Sequence, residues 1–206
     1  MKLHIKCIPC FLNQALRAVE VTKRSLSTKE KKQLLNQLME ILGDDTILEK
    51  IPAITGKAVY GTIGDFVGDP DIYKDIKRQS NELAVNLVPT LENIVDASEH
   101  KLKTAANIAI VGNLIDLGAN LEYDLEHEIN QLSLAVDHFS LLEQDLENAN
   151  EILYCGDNAG EIYFDKIFIK EIKREYPSID IKFATRAGPV INDATIQDAR
   201  EAGLNQ

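Results

Sequence analysis

Seven consecutive residues, Cys155-Gly156-Asp157-Asn158-Ala159-Gly160-Glu161, join two glycines to hard oxygen donors. The glycines permit tight turns and close backbone approach, and a helix that follows such a loop aims unpaired N–H groups at it, a favourable seat for a phosphate. Asp157 and Asn158 carry the oxygen donors that Mg²⁺ or Mn²⁺ prefers, so a cation bridging protein and phosphate suits this loop. A comparable constellation follows downstream: Arg186, then Pro189-Val190-Ile191-Asn192-Asp193-Ala194-Thr195, with Asp193 at the expected start of a helix. Arg186 is the basic residue best suited to gripping a phosphate, with a surface salt bridge as its alternative. Asp157, Asn158, Asn192 and Asp193 are also the residue types that form turns and cap helices. Two such loops at consecutive strand ends are what favours chemistry over capping.

These loops need elements to hold them. Glu151 to Cys155 is a short apolar run bounded by Gly156 and predicts a buried parallel strand. Ile162 to Tyr176 predicts a helix and Ile179 to Ala184 a second strand. Strand, helix, strand, helix implies a parallel sheet with right-handed crossovers, whose ligands bind beyond the carboxyl ends of the strands. That arrangement would bring Asp193 towards Asp157. Glu161, one turn into its helix, either stabilises the helix N-terminus or positions a water.

Upstream the periodicity is helical. Phe11 to Lys23 carries apolar residues spaced near 3.6, and Ser27-Thr28-Lys29-Glu30 offers a capping sequence before Leu34, Leu35 and Leu38. Further helices are predicted from Ile72 to about Leu87, ahead of Pro89, and from Leu91 onward, with Gly56, Gly61, Gly64, Gly68 and Pro70 marking turns and loops. Lys101 to Ile115 reads as a buried helix ending near Gly118. Its polar exceptions, Asn113 and Asp116, are three apart and share a face, which suits either the metal site or a buried hydrogen-bond network.

The 206 residues and 45% hydrophobic content allow a real core in one large domain or two small ones. The formal charge of -11, with 22 basic against 33 acidic residues, argues against a nucleic-acid or anionic-membrane surface. It leaves room for a phosphorylated small molecule, because a bound cation supplies local positive charge. No apolar run approaches the ~20 residues of a membrane span, and no signal-peptide core is visible at the start. Three cysteines, an odd number, fit a reducing cytoplasm better than a disulfide framework. Cys7 and Cys10, with His4 upstream, have ligand-like spacing but no second pair. Packing at a helix start, a place lining the active site, and zinc ligation all remain open for them.

Taken together, Cys7-x-x-Cys10, Gly112-Asn113-x-Ile115-Asp116, the Gly156–Glu161 run and the Pro189–Thr195 run resemble the damage-control phosphatase family, ARMT-like metal-dependent phosphatases, in their short prokaryotic branch. The resemblance spans almost the whole chain. It implies an α/β fold in which a helical N-terminal region, residues 1–148, packs on a three-layer α/β/α Rossmann-like parallel sheet beginning in residues 149–206. It also implies a divalent metal (Mg, Mn, Co or Ni) held by Asp157, Asn158 and Asp193. Combined with the residue readings above, the expected catalytic residues are Asp157, Asp193 and Glu161, and the expected substrate-binding residues are Asn113, Asp116, Arg186 and Asn192. The implied activity is hydrolysis of phosphate monoesters of small metabolites such as sugar phosphates and nucleotides, in metabolite damage control. A metal-activated water or a covalent Asp nucleophile would serve equally. Lys77, Asn81 and the Asp69-Pro70 turn lie in a stretch that resembles a family motif without an assigned role. Family members continue with further strands and a lysine- and glycine-containing phosphate loop, whereas this sequence stops at Gln206. The expectation is a C-terminally truncated form, prone to self-association through an exposed sheet edge, with a non-catalytic metal- or phosphate-binding fragment as the alternative function.

Overall fold

The computed structural model describes residues 2–22, 25–114, 127, 129 and 132–204. Asp116, and the expected end of its helix, lie outside the described residues. The chain forms two compact units: Met1–Ile76 with Gly188–Asn192, and Lys77–Ala187 with Asp193–Gln206. The predicted border at 148/149 marks where strands begin, whereas compactness divides the chain between Ile76 and Lys77.

The first unit is helical. Helix α1 (Cys7–Val21) buries Ala15, Ala18 and Val19, and α2 (Thr28–Leu42) buries Leu34, Leu38 and Leu42, the stripe that its periodicity predicts. Ser27 caps α2 in a reciprocal capping box with Glu30, satisfying two otherwise orphaned donors. Helix α3 (Pro52–Val67) corrects the expectation of loops, since Gly56, Gly61 and Gly64 lie inside it. A side chain at Gly64 would meet the Asp69 carbonyl oxygen at 2.9 Å, so this glycine serves close packing within a helix. Val190 and Ile191 pack against the core of this unit. Ile191 holds φ of 49°, an unusual conformation for a β-branched residue, immediately before Asn192.

The second unit contains most of α4 (Lys74–Ala97), then α5 (Lys101–Leu114), α6 (Phe139–Asn148), β1 (Glu151–Cys155), α7 (Glu161–Glu175), β2 (Asp180–Ala184) and α8 (Ile196–Glu201). Helix α4 runs unbroken through Pro89, where two helices are expected from the sequence. Pro89 is exposed, so water can serve the carbonyl its ring leaves unpaired, while Ala84, Leu91 and Val95 bury one continuous face. Strands β1 and β2 pair in parallel with Cys155 opposite Ala184, and α7 is the crossover between them. The βαβ expectation is therefore met, with the first strand starting at Glu151. Strand β1 departs from the doubly buried pattern: Glu151, Leu153 and Cys155 on one face are exposed. Ile162, Phe164, Ile167 and Ile172 anchor α7 in the core that α5 also enters.

Candidate active site

Asp157, Asn158, Glu161, Arg186 and Asp193 all lie in the second unit, in the segments that follow β1 and β2. Gly156 follows β1 and donates its N–H to the Ala184 carbonyl at 2.9 Å. A Cβ there would stand 2.4 Å from the Phe183 ring, so any side chain would force that ring to shift. Gly160, the N-cap of α7, has φ of 88°, which an L side chain rarely adopts. Between these glycines Asp157 is exposed and Asn158 half-buried.

The second loop is stitched to the first through main chain. Ala194 N–H donates to the Asp157 carbonyl at 2.7 Å, and Asn158 and Asp193 form a short antiparallel bridge. Arg186 and Thr195 form a parallel bridge, with Arg186 N–H on the Ala194 carbonyl at 3.2 Å. Asp193 is buried and accepts from Arg186 Nε at 2.6 Å through Oδ2. Asp193 is not inside a helix: it precedes Thr195, the N-cap of α8. Asn192 occupies the turn residue before it and belongs to the Gly188–Asn192 segment of the first unit.

Glu161 is the first residue of α7 rather than one turn in. Its two carboxylate oxygens accept from Asn158 Nδ2 at 2.6 Å and Asn113 Nδ2 at 3.2 Å. Burial pushes its carboxyl above the usual range. The Asn158 hydrogen bonds oppose that rise, and the Asp157 and Asp193 charges reinforce it. Burial likewise raises Asp193, against Arg186 and Lys77 and with Asp157. Burial is the main cause in both, and the Asp157 charge adds to it. Carboxylate oxygens at Asp157 and Asp193 and the amide oxygen of Asn158 are the hard donors that suit a divalent cation. Among the described residues no three His, Cys, Asp or Glu side chains form an ion cage. His4, Cys7 and Cys10 form no such cage either. All three cysteines are free, and Cys10 accepts from Gln14 at 3.5 Å.

Asp157, Glu161 and Asn113 line a cavity of about 790 Å³ with Tyr154, Cys155 and Asp165, its other walls being largely apolar residues such as Ile110, Phe139, Leu142 and Phe168. Sequence reasoning missed Tyr154 and Asp165. Tyr154 donates to Asp165 at 2.6 Å, and burial lifts the Asp165 carboxyl from 3.8 to about 6. The i,i+4 spacing of Glu161 and Asp165, which puts both on one helix face, was the available signal.

Sequence reasoning also left a buried polar network unread. Asn81, on α4, accepts the Gly160 N–H at 2.7 Å and donates to Asp198 Oδ1 at 2.9 Å. Asp198 Oδ2 accepts from Thr195 N–H at 2.8 Å and Thr195 Oγ1 at 2.7 Å, with Lys77 Nζ at 3.6 Å. Lys77, Asn81 and Asp198 are only 4%, 5% and 7% exposed, far below the norm for such residues. Burial pulls the Asp198 carboxyl up, but hydrogen bonds from Thr195 and Asn81 and the Lys77 charge outweigh it and hold the group below its ordinary value.

The family described as Damage-control phosphatase ARMT1-like domain matches residues 3–206. A damage-control phosphatase of Pyrococcus horikoshii is 32% identical across all of this chain and 71% of its own length. An uncharacterized protein of Methanocaldococcus jannaschii is 30% identical over the whole chain and 69% of its length. A damage-control phosphatase of Archaeoglobus fulgidus is 31% identical over 84% of the chain and 62% of its own. The crystal structure of a DUF89 family protein from Pyrococcus horikoshii superposes with a TM-score of 0.86 at 31% identity, covering 99% of this chain and 71% of the other.

Proposed function

Because the chain belongs to the damage-control phosphatase ARMT1-like family, we propose that it is a metal-dependent phosphatase that hydrolyses phosphate monoesters of small metabolites, sugar phosphates or nucleotides, in metabolite damage control. The observation that carries this reading is the hydrogen-bonded joining of the Asp157 loop to the Asp193 loop, with Asp157 also in the cavity wall.

Asp157, Asn158 and Asp193 would hold the divalent ion, Mg, Mn, Co or Ni, which when bound neutralises phosphate charge and makes water a better nucleophile. Glu161 is the group for proton transfer. Its carboxyl lies in the cavity wall, is raised above its ordinary range by burial, and is oriented by Asn113 and Asn158 on its two oxygens. Arg186 donates to Asp193 and fixes its carboxylate, with its half-exposed guanidinium within reach of solvent for a phosphate oxygen. The charge of -11 favours a small phosphorylated substrate over nucleic acid or membrane, and the reducing cytoplasm is the compartment that suits three free cysteines.

The test is phosphate release from a panel of sugar phosphates and nucleotides with each of the four ions, with and without chelator. Asp157→Ala and Asp193→Ala should abolish turnover, and Glu161→Gln should lower kcat while retaining the ion. Full activity in Asp157→Ala, or in chelator, would sink the reading. Ion binding without turnover across the panel would favour the non-catalytic alternative.

A further inference from the structure

The main-chain link between the two ligand-bearing loops is one line of contact, and two loops joined along one line can pivot about it. A second tie, on a different line, removes the pivot. The buried amide of Asn81 is such a tie. Its oxygen takes the N–H of Gly160, which closes the Asp157 loop, and its nitrogen donates to Asp198, whose other oxygen caps Thr195 two residues beyond Asp193. Both ends of one rigid planar group are thus committed to opposite halves of the site.

We propose that Asn81 is a positioning residue for the ion site: it sets the separation of the Asp157–Asn158 loop from the Asp193–Thr195 turn and thereby the affinity for the cation. The proposal rests on the reading of Asp157, Asn158 and Asp193 as the ion-holding side chains.

No other residue of similar size fills this position. A carboxylate can accept from Gly160 but cannot donate to Asp198, and it sets a second negative charge against a buried one. An apolar residue leaves the Gly160 N–H and one Asp198 oxygen without the partner each has now. Lys77, one turn earlier on α4, faces the same Asp198 carboxylate and supplies the counter-charge that lets it stay ionised while buried.

The experiment is calorimetric titration of Mn²⁺ into the full chain, with thermal denaturation of every variant alongside. Asn81→Asp should weaken binding by about 10–100-fold, the range for residues that orient metal ligands. The exchanged pair N81D/D198N lets the amide at 198 donate to the carboxylate at 81 while its oxygen still accepts from Thr195. It should recover most of the affinity. Asn81→Ser, neutral and smaller, should also weaken binding and covers the case in which Asn81→Asp fails to fold. Leu91→Ala on the same helix is the control: it should lower Tm by opening a core cavity and leave the Mn²⁺ Kd unchanged. Unchanged Kd in folded Asn81 variants, equal weakening in Leu91→Ala, or no recovery in the exchanged pair would each overturn the proposal. If the wild type shows no Asp157-dependent Mn²⁺ binding, the ion-site reading falls and takes this inference with it. If that binding is present but indifferent to Asn81, only the inference falls.

Discussion

Asp165→Asn should make the protein more stable at neutral pH. The Asp165 carboxyl rises from 3.8 to about 6 because burial disfavours its charge; the Tyr154 hydrogen bond opposes the rise, and Glu161 and Asp157 add to it. The folded state therefore holds this proton more tightly than the unfolded chain does. Its stabilising effect is fully present below about pH 4 and is lost as pH rises to about 6, where the folded protein must ionise a buried group. About two pH units at about 1.4 kcal/mol each give a cost near 3 kcal/mol at neutral pH, an upper figure because unfolded chains are partly compact. The Asn variant keeps an acceptor for the Tyr154 hydroxyl and removes the charge. Urea unfolding followed by circular dichroism should show a gain of about 2–3 kcal/mol above about pH 7 that shrinks towards zero near pH 4. In a chain of this size that corresponds to a Tm higher by about 5–10 °C. Glu161 and Asp193 are raised in the same direction but are present in both proteins, so the difference isolates position 165 and its coupling to Glu161. A variant less stable than wild type at neutral pH, or a gap that does not change with pH, would refute the reasoning.

Gly156→Ala would put a methyl group 2.4 Å from the Phe183 ring, which itself stacks on Tyr154 at 5.7 Å, and should cost about 1–3 kcal/mol in urea unfolding. Ser27→Ala removes the side-chain half of the α2 capping box and should cost about 1 kcal/mol, with little effect on phosphatase turnover. The exposed face of β1, where Leu153 is 66% accessible, should promote self-association, and light scattering that shows a monomer at high concentration would count against this.

What could be read from the sequence was what is written locally. The cap at Ser27, the strands on either side of α7 and the end of the helical region at Asn148 each depend on a few adjacent residues, and each is found within a residue or two of its expected place. The failures share a cause. Gly56, Gly61 and Gly64 look like loop punctuation, but at Gly64 what decides is the carbonyl of Asp69 lying 2.9 Å from where a side chain would be. Pro89 looks like a helix boundary, yet the buried face on either side of it, with Ala84 before and Leu91 after, is continuous across it. Packing overrides propensity at both places, and the local residues do not record it.

The site follows the same division. Asp157, Asn158 and Asp193 were singled out because they sit in glycine- or proline-bounded loops, and Glu161 because it opens the helix that follows the first of them. Asn81 and Asp198 were not, because their meaning lies in each other and in the Gly160 N–H, partners separated by many tens of residues. A polar residue at helical spacing on the same face as Ala84 and Leu91 is a demand for a distant partner, and Lys77 and Asn81 both meet that description. The sequence shows that demand without naming who meets it. Here the partner is the carboxylate that caps the helix after Asp193, so the residues left without a role are the ones whose hydrogen bonds tie the two halves of the site together.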